Sequence, residues 1–252
     1  MTAGAYVFEY YLVNYRRTWR ASALSTLVMP LLTMVGFGLG VGAYVTGGVE
    51  GVPYLDWIVP GLIASTAVQT AIGESSWPVF GNFEWRKVYF AQAAAPLRVA
   101  DILGGHLAYM LFRIVLSATV FLGVGVLFGA VHSWWAPLAV PVAVAVGLAV
   151  AAPTVAYSAT IGSESYLPIL LRFAVLPMSL FSGVFFPVES LHLVLRWVAW
   201  VLPLWHGVEL SRDAMLGRAP GLIGLWHAIY LLAWCAFGWW LAHSRFRRRL
   251  VI

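Results

Sequence analysis

Apolar residues in this chain fall in long blocks almost free of charge, and the block lengths set the first prediction. About 20 residues are needed to cross roughly 30 Å of hydrocarbon as a helix. Residues 21–46 contain no Asp, Glu, Lys or Arg, and residues 54–77 form a second apolar block carrying Glu74 near its end. The stretch 114–163 is also free of these four residue types but is too long for one crossing. His132, Ser133, Trp134, Trp135 and Pro137 break it, which divides it into spans over about 106–130 and 136–161 with the Trp pair as an interfacial anchor. A fifth span over about 166–186 contains Arg172, and a sixth covers about 221–242. The pattern predicts an all-α integral membrane protein of six transmembrane helices.

Two further segments have amphipathic rather than uniformly apolar patterning. Residues 5–20 place Tyr6, Phe8, Tyr10, Tyr11 and Tyr15 ahead of Arg16, Arg17 and Arg20, the signature of a helix lying on the membrane surface. Residues 188–217 are too charged to cross and too apolar for a solvated loop. Leu191, Leu195, Val198 and Leu202 recur at helical spacing, and Pro203 divides the segment in two. It reads as a re-entrant or interfacial helix pair, with a plain surface pair as the alternative.

Composition excludes a soluble globule. Of 252 residues, 62% are hydrophobic and 10% charged, against about 25% charged in soluble domains. The formal charge of +5 rests on 14 Arg and one Lys, and their placement reports topology rather than nucleic-acid binding. Three lie in the N-terminal segment, three after span two and four in the C-terminal tail, against three in the 188–217 insertion and its edge, so both termini are expected in the cytoplasm. The basic cluster ahead of the first block resembles a signal peptide, but 26 charge-free residues exceed a signal core, so it is kept as a mature span. Cys235 is the single cysteine, which excludes a disulfide framework.

Nucleotide hydrolysis by a P-loop needs a Lys followed by Ser or Thr after a glycine-rich turn. The single lysine, Lys87, follows Arg86 and precedes Val88, so no such site is expected. The six histidines show no His-Glu-x-x-His spacing, and no metal site is expected. An intramembrane serine protease is the enzymatic alternative, because residues 73–76 read Gly-Glu-Ser-Ser and His227 and His243 flank the last span. A passive channel is another. Charge inside a span costs roughly 2.5 to 3.5 kcal/mol, which singles out Glu74, Arg113 and Arg172. Each sits roughly 10 Å from the cytoplasmic end, as an inner vestibule for a polar group or as side chains that snorkel. Gly36, Gly38, Gly40 and Gly42 in span one suit close helix approach. His206, Glu209 and Arg212 recur at three-residue spacing, where they can bond one another.

Several strings resemble a known family. The run FSGVFFPVE from Phe181 to Glu189 and the run LPLWHGVELSR from Leu202 to Arg212, closing at Leu216 and Gly217, carry most of the likeness. Tyr54 to Gly61, Ala95 to Arg98 and Gly104 to His106 support it. The chain resembles ABC-2 type transporter permeases, in the subgroup that includes nodulation-factor (lipo-oligosaccharide) and daunorubicin-type export permeases. The resemblance implies a six-helix subunit in a bacterial plasma membrane that pairs with a second permease copy and docks on two copies of a separate ATP-binding subunit. ATP and Mg would be bound by that partner, with no cofactor in this chain and no nucleic acid involved. Residues 5–20 would be the connecting helix, and 82–105 would carry the coupling helix, with Glu84, Arg86, Lys87, Arg98 and Asp101 contacting the ATPase. The insertion would form outer re-entrant helices, with His206, Glu209 and Arg212 at the outer gate. The cargo implied is amphipathic: a lipid-linked saccharide, a glycolipid or a hydrophobic drug.

Overall fold

The computed structural model describes residues 3–45, 47–218 and 221–251. Among the described residues six helical stretches are long and apolar enough to cross a membrane, and a seventh candidate is a bent pair. The chain is a multi-pass membrane protein.

Helix α1 (Ala3–Thr33) runs without a break through the boundary that the sequence places between a surface helix and span one. The reason is local: residues 5–29 contain neither Gly nor Pro, so nothing interrupts the i to i−4 ladder before Pro30. After Pro30 the helix widens into a π-helical segment, Met34–Val41, where alternate glycines hold the α pitch poorly. The expected end of span one at Thr46 lies outside the described residues.

Helix α2 (Tyr54–Ser75) is followed at once by α3 (Trp77–Glu84) and, across a turn, by α4 (Val88–Ala93). Lys87 holds that turn in the left-handed region at φ 53°. Helix α5 (Val99–Leu127) begins two turns earlier than the expected start at His106. Asp101 explains the early start, because its carboxylate accepts the Arg98 backbone N–H at 3.0 Å and closes the helix end. The predicted 82–105 loop therefore shrinks to the residues between α3 and α5, with α4 inside it.

Helix α6 (Ala139–Ser158) forms the fourth span. The fifth is irregular: α7 (Leu167–Leu170), a π segment Leu171–Val175, then α8 (Leu176–Phe181). The insertion folds as α9 (Leu193–Val201) and α10 (Pro203–Leu216), bent 83° at the junction that Pro203 opens. Helix α11 (Leu222–Leu250) carries span six on through the basic tail.

The centre of the bundle is α2 with α5 and α6. Trp57, Ile58 and Ile63 pack among Met110, Ile114, Val146 and Ala149 in one continuous apolar core. Of the most apolar window in each span, 78% is buried for α2 but only 12% for α1 and 11% for the fifth span. Close crossings depend on glycine at two places. A Cβ on Gly105 would fall 2.5 Å from Val7 of α1, and one on Gly238 would fall 2.7 Å from Pro153 of α6. Among the four glycines of span one, Gly38 approaches Leu55 of α2, while Gly36 meets nothing within 4 Å.

Candidate functional site

Of Glu74, Arg113 and Arg172, the first two meet. Arg113 of α5 places Nε 3.1 Å from Glu74 Oε1 at the end of α2. The contact is ionic and lacks hydrogen-bond alignment, which leaves the buried Nε without a hydrogen-bond acceptor. Tyr15 of α1 covers the guanidinium at 4.9 Å. Arg172 does not join them. It is exposed on the π segment of the fifth span and makes no ion pair among the described residues, because that span packs hardly at all within the chain.

The pair lies where two cavities adjoin. One, of about 420 Å³, runs between α1 and α2 and is lined by hydroxyl and amide side chains, including Thr66, Gln69, Thr70 and Ser117, with Met29 and Phe37 opposite. The other, of about 340 Å³, lies nearer the termini and is lined by Tyr10, Trp77, Trp85, Asn14, Arg86 and His106. Glu74 lines both. Volumes of this size with aromatic walls and a few convergent polar groups are typical of ligand sites.

At the far end of the bundle, Arg212 of α10 is buried. Its Nη1 contacts Glu209 Oε1 at 2.6 Å, its Nη2 donates to the Gly183 carbonyl at 2.8 Å, and its guanidinium lies 4.2 Å over Trp57. His206 does not join this cluster, as the sequence had suggested it would. Residues three apart on a helix drift by about 60°, so His206 and Arg212 point roughly 120° apart. His206 Nδ1 instead lies 2.7 Å from Nδ1 of His227 on α11, its Nε2 lies 2.9 Å from the Trp200 carbonyl oxygen, and its ring stacks on Tyr230. If Nε2–H donates to that carbonyl, His206 Nδ1 is the acceptor and His227 the donor. A second far-end link, Asp56 to His132 at 3.1 Å, ties α2 to the loop before α6.

At the terminal end, the five residues expected to contact an ATPase divide into two groups. Arg86, Lys87 and Arg98 are exposed. Asp101 is engaged as the helix cap, and Glu84 is turned inward to Arg249 of α11, with Lys87 at 3.6 Å. Beneath this surface sits a buried cluster that the sequence did not reveal. The Tyr89 hydroxyl is hydrogen-bonded with His106 Nδ1 at 2.5 Å, Tyr11 stacks on His106 at 4.3 Å, and Asn82 Nδ2 donates to the Tyr11 hydroxyl at 3.1 Å. Burial pushes the Tyr89 pKa up, which keeps the phenol neutral. One signal for Arg249 was present: Gly238, Ala242, Phe246 and Arg249 share a helix face that continues past the expected end of span six.

The serine on which a protease would depend is not poised for chemistry. Ser75 is buried and donates to the Ala71 carbonyl of its own helix at 2.6 Å, while His227 is engaged by His206 and His243 stacks on Trp239 of its own helix.

The sequence model of the ABC-2 type transporter family matches residues 5–216 of this chain, which takes in the groove, the Glu74–Arg113 pair and the bent helix pair. This chain belongs to the ABC-2 type transporter family. The ABC-2 chain is similar along nearly its whole length to proteins named Nodulation protein J. It is 31% identical to that of Rhizobium leguminosarum bv. trifolii over 242 residues, covering 95% of this chain and 90% of the relative. It is 30% identical to that of Sinorhizobium fredii over 232 residues, covering 92% and 87%. With that of Bradyrhizobium diazoefficiens the identity is 27% over 256 residues, covering 100% and 97%. An ABC-2 permease is a transport subunit that associates with an ABC ATP-binding subunit, which frames the exposed basic residues at the terminal end.

Proposed function

We propose that this permease is the transmembrane half of an ATP-driven exporter that moves an amphipathic substrate outward across the plasma membrane. Two permease copies would sit on two copies of the ATP-binding subunit, with both termini in the cytoplasm, an orientation that the Arg and Lys excess at that end supports. The observation that carries the reading is the hydroxyl-lined groove between α1 and α2, with the Glu74–Arg113 pair at its inner end. Hydroxyls and amides suit a polar headgroup, while exposed Leu24, Leu27 and Leu32 on α1 offer an apolar face to a chain lying in the lipid. A lipid-linked saccharide, a glycolipid or a hydrophobic drug with a polar end fits that division.

Energy enters at the exposed turn between α3 and α4. ATP binding closes the partner dimer, the turn is displaced, and the spans tilt so that the inner cavity closes. The Arg212 cluster, anchored to Gly183 and Trp57, holds α10 over the outer end of the path until that tilt releases it. Charge reversal tests the reading. Arg86→Glu with Lys87→Glu should lower vanadate-sensitive ATP hydrolysis of the reconstituted complex about tenfold or more, because a like-charged docking surface repels its partner. Unchanged hydrolysis in that double variant contradicts it.

A further inference from the structure

Arg249 would pass for one more positive charge in a solvated tail, yet its neighbours Arg247 and Arg248 are exposed while its own side chain is 22% exposed. Each part of it is engaged. Nη2 bonds Glu84 at the end of α3, Nη1 donates to the Ala159 carbonyl after α6 at 2.6 Å, and the guanidinium lies 4.4 Å over Phe83. One turn earlier, Phe246 is buried with its ring 4.9 Å from Phe83 and 5.0 Å from Tyr89 of α4. A planar fork with five donors can hold a carboxylate and a carbonyl together, which a lysine cannot do in the same geometry.

We propose that Arg249 is a positioning residue that joins the cytoplasmic turn between α3 and α4 to span six, so that displacement of that turn is delivered to α11. The inference rests on the exporter reading above. Helix α11 has 29 residues, about 43 Å of rise, and so reaches beyond the hydrocarbon at one end while beginning at the other. A rigid helix held at its inner end by Arg249 and Phe246 carries a push on Glu84 to Leu222 at its outer start. Lys87 shares Glu84 at 3.6 Å, so the residue that meets the ATPase and the residue that grips α11 act on one carboxylate.

The test uses the intact complex with its ATP-binding subunit in phosphatidylethanolamine–phosphatidylglycerol vesicles. Leu222→Cys, in a Cys235→Ser background, supplies an exposed thiol at the far end of α11. Its reaction with a membrane-impermeant maleimide is timed with and without ATP and vanadate. With Arg249 present, trapping should change the labelling rate by about threefold or more. Arg249→Ala should abolish that change while ATP hydrolysis stays within about twofold. Arg249→Lys should give an intermediate response. Glu84→Arg with Arg249→Glu should restore more of the response than either single variant, although the Ala159 bond stays broken. A full response in Arg249→Ala overturns the proposal. So does joint loss of hydrolysis and response that the charge swap fails to repair, since that marks a residue needed only for folding. Absence of vanadate-sensitive hydrolysis in the parent complex overturns the exporter reading itself.

Discussion

At the residue scale, charges in the membrane set the strongest constraints. Glu74 and Arg113 stood out in the sequence because a charge in a span is costly, and the structure pairs them at 3.1 Å. Arg113→Ala strands a half-buried carboxylate and should destabilise the detergent-solubilised protein by about 3 kcal/mol. Arg113→Met combined with Glu74→Gln should recover most of that loss, and thermal unfolding of the two variants measures the difference. A similar contrast applies at the far end. Arg212→Lys keeps the charge but cannot reach Glu209 and the Gly183 carbonyl while stacking on Trp57, so it should cost about 2 kcal/mol in the same assay. Other residue roles were not legible. The partner of His206 is His227, 21 positions away on another helix, and no local spacing encodes that meeting. Arg172 looked equivalent to Arg113 in sequence, but it lies on a span that buries little of itself in this chain.

At the element scale, the apolar blocks placed the six spans because the hydrocarbon thickness sets their length. The ends shifted wherever a cap or a tertiary contact decided the matter. Asp101 starts α5 at Val99, a signal present in the sequence but outweighed there by the charges around it. Asp101→Ala should remove about 1 kcal/mol of capping and increase amide exchange in the first turn of α5. Helix α1 continues across residues 5–41 into its π segment because helix breakers are absent before Pro30, although the change from amphipathic to apolar composition suggested two elements. Its N-terminal half is held on α5 at Gly105. Gly105→Val puts side-chain atoms where Val7 already lies, so α1 should detach and its N-terminal half become protease-sensitive, with the remaining spans intact. The run of α11 beyond residue 242 follows from Phe246 and Arg249, which bury a face of what reads as a basic tail.

At the scale of the whole molecule, burial is uneven: α2 lies inside the bundle, while α1 and the fifth span present most of their apolar surface outward. Such faces suit lipid or, in the proposed exporter, the second permease copy, and the groove lined by α1 opens beside them. The exposed basic residues Arg86, Lys87 and Arg98 gather at the terminal end, where the proposed exporter meets its ATP-binding partner. That assignment is tested most directly by extracting the tagged permease from its native membrane in mild detergent. The co-purifying proteins are then identified and vanadate-sensitive ATP hydrolysis is measured with lipid present. An ATP-binding subunit in one-to-one ratio with the permease is expected, with hydrolysis that falls about tenfold or more with Arg86→Glu and Lys87→Glu. A permease recovered without such a subunit, even after cross-linking before extraction, contradicts it.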